Sequence, residues 1–320
     1  MTNPLTQGQS EPEQRDAGAP ALPMTTTPQV APVTAAAQRA HRKLSSPWAS
    51  LFAIGLAVLW TLPTFGLLVT SVRPQRDIGS SGWWTALTDP NFTMANYEAV
   101  LSSTGRSSLA DYFINSFVIT IPSVIIPVFL ALLAAYVFAW VDFRGRSFLF
   151  VAVFTLQIVP IQVTLIPLLR LYVDTGLAGS FWAIWLSHSI FALPLAIFLL
   201  HNFMREIPRE LLEAARMDGA GHVQILFRVL LPLLTPALAA FGIFQFLWVW
   251  NDLLVALTFS GGTPERAPIT VALANLAGTQ GTAWHLLSAG AFVAILVPVA
   301  VFLALQRYFV RGLLAGGLKG

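Results

Sequence analysis

Long apolar blocks alternate with short polar stretches along most of the chain. Six blocks qualify as membrane spans: about Pro47 to Val72, Tyr112 to Trp140, Phe148 to Tyr172, Phe181 to Phe203, Leu233 to Phe259 and Leu286 to Tyr308. Each reaches the roughly 20 residues needed to cross about 30 Å of hydrocarbon. The two-residue alternation of barrel strands is absent, and a backbone in lipid must satisfy its own hydrogen bonds, so the blocks predict helices. The expected fold class is all-α, a polytopic membrane protein with six transmembrane helices over residues 46–320. Six is even, so both ends fall on one side.

Basic residues choose that side. With the N-terminus inside, thirteen of the 18 Lys and Arg residues lie on inner segments and five (Arg73, Arg76, Arg106, Arg170, Arg266) on outer ones. The positive-inside rule then puts both termini in the cytoplasm. Residues 1–45 stand apart. They are rich in Pro, Ala, Thr and Gln and poor in large apolar residues, which predicts a disordered cytoplasmic tail. The first apolar run starts near Trp48, too late and too long for a signal peptide.

Composition agrees with a lipid solvent. Hydrophobic residues make up 56% and charged residues 10%, against about 25% charged in soluble domains. The chain has no cysteine, which excludes disulfides and thiolate chemistry. The net charge of +3 comes with no basic stripe, so no nucleic-acid partner is expected. Several spans carry internal prolines (Pro122, Pro127, Pro160, Pro167, Pro194, Pro236, Pro298), each of which removes a backbone donor and favours a bend.

The loop between spans four and five, residues 204–232, reads as two short helices. Pro208 suits a helix start, and Glu206 and Glu210 favour its positive end. Leu211, Leu212, Ala214 and Ala215 form an apolar side with small residues where another surface can approach. Gly219 suits a helix C-cap. A second helix is expected from about His222 to Leu231, ending before Pro232.

Here the chain resembles the inner-membrane permeases of binding-protein-dependent ABC importers. Their cytoplasmic motif is Glu-Ala-Ala, three residues, Gly, nine residues, Ile, one residue, Leu-Pro. This chain has Glu213, Ala214, Ala215, Gly219, Val229, Leu231 and Pro232 at those spacings, with Val229 in place of Ile. The C-terminal Gly312 to Gly320 and the stretch Trp250-Asn251-Asp252 resemble the maltose-type "G" branch of carbohydrate permeases. The similarity spans roughly residues 50 to 320. It implies a type I importer fold in which Glu213, Ala214, Ala215, Asp218 and Gly219 form a coupling helix seated in an ATPase cleft. It further implies two ATP-binding subunits, a sister permease, an extracytoplasmic solute-binding protein and a sugar or oligosaccharide moved inward by alternating access.

Seven polar residues lie in or near the spans: Asn115, Gln157, Gln162, His188, Gln245, Asn251 and Asp252. Such groups are expensive in lipid and mark pathways or packed polar contacts. His188, Gln245, Asn251 and Asp252 are the candidates for a substrate pathway. Asp252 follows Pro232 by about 30 Å of helix, which puts it near the outer interface, where a capping role competes with a pathway role. The long outer loop from Arg73 to Asp111 is positioned to meet a binding protein.

No phosphate-binding Gly-x-x-x-x-Gly-Lys-Ser/Thr loop, zinc-binding His-Glu-x-x-His or catalytic set occurs in the sequence. No cofactor, metal or catalytic residue is therefore expected, and ATP hydrolysis is assigned to partner subunits. Two alternatives stay open: an ion-gradient-driven secondary transporter, and an ABC permease for a non-sugar solute. The first calls for paired intramembrane carboxylates or an inverted repeat, whereas Asp252 stands alone.

Overall fold

A computed structural model describes residues 47–102, 108–261, 263–278 and 283–317. The expected tail, residues 1–45, lies outside the described residues. Among the described residues every regular element is helical. Contacts divide the chain after Thr61. Up to that residue the described part is the start of helix α1 (Pro47–Ser71), with Trp48, Phe52 and Trp60 exposed.

The second unit opens with the end of α1 and a folded segment of short helices. This holds α2 (Gln75–Ser80), a 3₁₀ turn at Trp83–Leu87 and α3 (Ala95–Leu101). Arg73 is its buried staple, donating to the Gly82 carbonyl, Ser81 Oγ and Thr85 Oγ1 at 2.8–3.1 Å. Asn96 donates to the Ser71 and Arg73 carbonyls at 2.9 and 2.8 Å. Trp83 lies against Gly66, where a Cβ would come within 2.7 Å of its ring nitrogen.

The centre is built by α4 (Leu109–Trp140) and α7 (Phe181–Glu206), the most extensively packed pair. Ser108 and Asp111 form a capping box at the start of α4, and Ser180 caps α7. Ala131, Ala135 and Ala139 recur every four residues on α4 and meet Ala192 and Ala196 of α7. Small residues at that spacing let two backbones approach closely, the packing device that replaces the hydrophobic effect inside lipid.

Among the described residues, five helices are long and apolar enough to cross a membrane. They are α1, α4, α7, the helix α9 (His222–Trp250) and the Trp284–Gln306 stretch of α12 (Trp284–Gly317). The third predicted block is broken rather than straight. It forms α5 (Arg146–Thr155), a 3₁₀ turn to Ile158, and α6 (Ile161–Asp174), bent by 102°. Counted as one span, the pair is the sixth. Pro160 explains the break. It has no N–H to continue the ladder, and it forces Val159 into an extended conformation (φ −70°, ψ 119°).

Two further boundaries differ from expectation. The fifth helix stops at Trp250 rather than Phe259, and α10 (Leu254–Phe259) restarts after a three-residue break. At its other end the expected stop before Pro232 does not occur. Ile225–Leu230 adopts a π-helix that runs unbroken into Leu231–Trp250. A widened turn accommodates the missing Pro232 donor and the clash its ring makes with the preceding turn. The remaining elements are α8 (Arg209–Met217), between α7 and α9, and α11 (Ile269–Gly278).

Candidate functional site: a coupling element and a polar cleft

Helix α8 has its own start and stop. Pro208 stands immediately before it, with Glu210 in the first turn. At the other end Gly219 adopts φ +84°, a conformation that favours glycine. Its N–H donates to the Arg216 carbonyl and the Ala220 N–H to the Ala215 carbonyl, both at 3.0 Å. This paired pattern satisfies the helix's last carbonyls and turns the chain sharply back.

The helix presents two different faces. Leu212 is 2% exposed and packs into the large cluster shared by α4, α7 and α9, where Ala215 and Ala220 also pack. Glu213, Ala214, Asp218 and Gly219 are exposed, and Met217 is 83% exposed. The two motif alanines therefore differ: Ala214 faces outward and Ala215 inward. Met217 is not among the sequence candidates. Its signal is nonetheless available, because residues 210, 213, 214 and 217 share one helical face. Further on, Val229 and Leu231 are half-buried and Pro232 is exposed. Beside α8 lies a polar cleft lined by Trp140, Asp142, Arg146, Arg209, Glu213 and Arg216. Arg146 is held there by Asp142 at 2.7 Å.

The intramembrane candidates do not form one set. His188 and Gln245 line a small cleft with Gln157, Phe244 and Trp248. Gln157 is a polar span residue that the sequence does not mark as a pathway candidate, and the α5–α6 bend brings it there. Gln245 is buried and donates to the Ser123 carbonyl at 3.2 Å. His188 is 2% exposed, and its Nε2 lies 3.8 Å from Asp252 Oδ2, beyond hydrogen-bond distance. Asp252 is primarily a cap. Its carboxylate accepts from the Val255 and Ala256 N–H groups at 3.3 and 2.9 Å, which restarts the chain as α10. Its carbonyl accepts from Thr270 Oγ1 at 2.6 Å. Asn251 is exposed and turns back to the Leu247 carbonyl at 2.7 Å, away from the cleft. Among the described residues no group of three His, Cys, Asp or Glu side chains is suited to a metal ion.

Residues 94–314 match the family described as the binding-protein-dependent transport system inner membrane component. The chain belongs to that family. Its members include carbohydrate permeases among this chain's relatives. An osmoprotective compounds uptake permease of Synechocystis sp. is 50% identical over 268 residues, 82% of this chain and 89% of the relative. An alpha-glucoside transport system permease of Rhizobium meliloti is 49% identical over 257 residues, 78% and 67% of the two chains. The fold matches a bacterial ABC transporter involved in alginate import, with a TM-score of 0.65 at 21% identity over 82% of this chain and 98% of that one. The chain is thus a multi-pass membrane permease, a transport subunit of an ABC importer.

Proposed function

We propose that this permease moves a sugar or oligosaccharide inward by alternating access, driven by two separate ATP-binding subunits that grip α8. A sister permease completes the pore, and an extracytoplasmic binding protein delivers the solute. The observation that carries the coupling role is α8 itself. It is a short, sharply capped helix whose one face is welded to the membrane core through Leu212 and whose other face, Glu213, Ala214, Met217 and Asp218, is exposed. A push on the exposed face is passed to the spans through a packed, stiff contact. Carbohydrate as cargo is supported by relatives named for alpha-glucosides and for melibiose, raffinose and stachyose. The His188, Gln157 and Gln245 cleft fits the membrane segment of the path, because its lining carries no Lys, Arg, Asp or Glu, as suits an uncharged, hydroxylated solute. In this arrangement the termini lie in the cytoplasm and the segment from Arg73 to Leu101 faces the binding protein.

The test is Gly219→Leu in the reconstituted complex. In the isolated chain no atom lies within 4 Å of a Cβ placed there. The substitution therefore acts through the left-handed backbone, at about 1–2 kcal/mol, and through the bulk offered to the docked ATPase. ATP-driven uptake falls while the membrane domain still assembles. Unchanged uptake and ATPase coupling would refute the docking role. Uptake into vesicles supplied with ATP after the proton gradient is collapsed separates this reading from a gradient-driven transporter, which stops under those conditions.

A further inference from the structure

The coupling role of α8 leaves open which span receives its stroke. The chain leaving α8 passes through Gly219, Ala220 and Gly221, residues that offer no polar side chain to grip a neighbouring span, before α9 begins at His222. The first side chain beyond them is pinned. Tyr136 Oη and His222 Nδ1 lie 2.6 Å apart, across 86 residues of sequence, with the rings edge-on at 5.9 Å. Tyr136 is 5% exposed. It sits on α4 with Leu132, Ala135 and Ala139, in the same cluster that holds Leu212.

Helix α4 is tied at its other end as well. Asn115 Nδ2 donates to the Ala267 and Pro264 carbonyls at 3.2 and 3.4 Å. Ser116 Oγ accepts from the Ile269 N–H at 2.9 Å, and both Ser116 and Ile269 are buried. The segment from Pro264 to Ile269 leads into α11, on the side opposite α8. From Asn115 to Tyr136 the helix covers about 32 Å, the thickness of the hydrocarbon. One helix therefore carries a side-chain clip to the coupling joint at one end and clips to the outer segment at the other.

We infer that α4 is the rod that carries the coupling stroke across the membrane, with the Tyr136–His222 bond as its inner clip and Asn115 and Ser116 as its outer clips. Tyr136 and His222 are positioning residues, since neither needs to touch solute or nucleotide. The inference rests on the importer reading above. It adds a route, and spatial continuity becomes evidence of coupling only when a distant readout follows the clip.

The chain has no cysteine, so Glu265→Cys, at an exposed position of the outer segment, gives a single reporter in the complex assembled with cysteine-free ATPase subunits and sister permease. The measurement is its modification rate by a membrane-impermeant maleimide, with and without ATP. ATP is expected to change the rate about fivefold or more in the parent protein, the span of ordinary allosteric coupling. Tyr136→Phe and His222→Ala each abolish that ATP response, the double substitution does no more than either alone, and His222→Gln, which can still pair with the hydroxyl, restores it. A merely structural bond would lower thermal stability yet leave the ATP response in place. Should Tyr136→Phe fail to assemble, His222→Ala, at an exposed position, decides the matter. An ATP response retained in His222→Ala overturns the inference and leaves the importer reading standing. A parent complex that hydrolyses no ATP overturns both.

Discussion

Single residues here have roles that their type alone does not announce. Asp252 is a largely buried ionisable group just past the end of α9, yet its carboxylate is engaged by two backbone N–H groups of α10. Asp252→Ala removes that cap and is expected to cost about 1 kcal/mol, whereas Asp252→Asn keeps an acceptor in place and costs less. Thermal unfolding of the purified permease checks the order of the two variants. A pathway role without a capping role would instead spare stability in both and affect only transport. Ala214 and Ala215 teach the same lesson. The motif names both, but only Ala214 is exposed, while Ala215 packs inward. One residue of helix register separates them by about 100° around the axis, and the sequence pattern marks both as small without saying which faces the partner. Tyr136 and His222 are absent from the sequence candidates because nothing local links residues 86 apart.

At the scale of elements, prolines have two opposite outcomes. Pro160 breaks its span into two helices at 102°, while Pro232 is absorbed by a π-helical stretch and the helix continues. Every span proline could be read as a bend, but the angle depends on what packs around it. Restoring the donor at position 160 should relax the bend. For Pro160→Ala, nitroxides at Phe148→Cys and Val173→Cys are expected to separate from about 24 Å towards about 38 Å, by the lengths of two helices at 1.5 Å per residue. Distance measurement by electron paramagnetic resonance reads this directly, and an unchanged distance would show that tertiary packing holds the bend without the proline. Because Gln157 reaches the His188 cleft through this bend, the same variant is expected to lower uptake with α8 left intact. The short helix α8 was legible from Pro208 and Gly219, since both ends are set by local backbone chemistry.

For the whole molecule, the orientation inferred from basic residues gives a prediction of its own. Met217→Cys, 83% exposed on α8, should react with an impermeant maleimide only in inside-out vesicles. Leu87→Cys, 76% exposed in the outer segment, should react only in right-side-out ones. The reverse labelling would invert the topology and remove α8 from the ATPase's reach. The amino-acid sequence by itself determined the solvent, the helical class, the apolar blocks and the spacing of the loop motif. These follow from local quantities: run length against bilayer thickness, obligatory backbone hydrogen bonding, and residue spacing within one loop. Tertiary structure alone decided which span proline breaks its helix and which is absorbed, the early end of the fifth helix, the division of faces on α8, and the meeting of His188 with Gln157 and of Tyr136 with His222. Each depends on contacts between segments far apart in the chain, where packing and polar satisfaction select among conformations that local sequence permits equally.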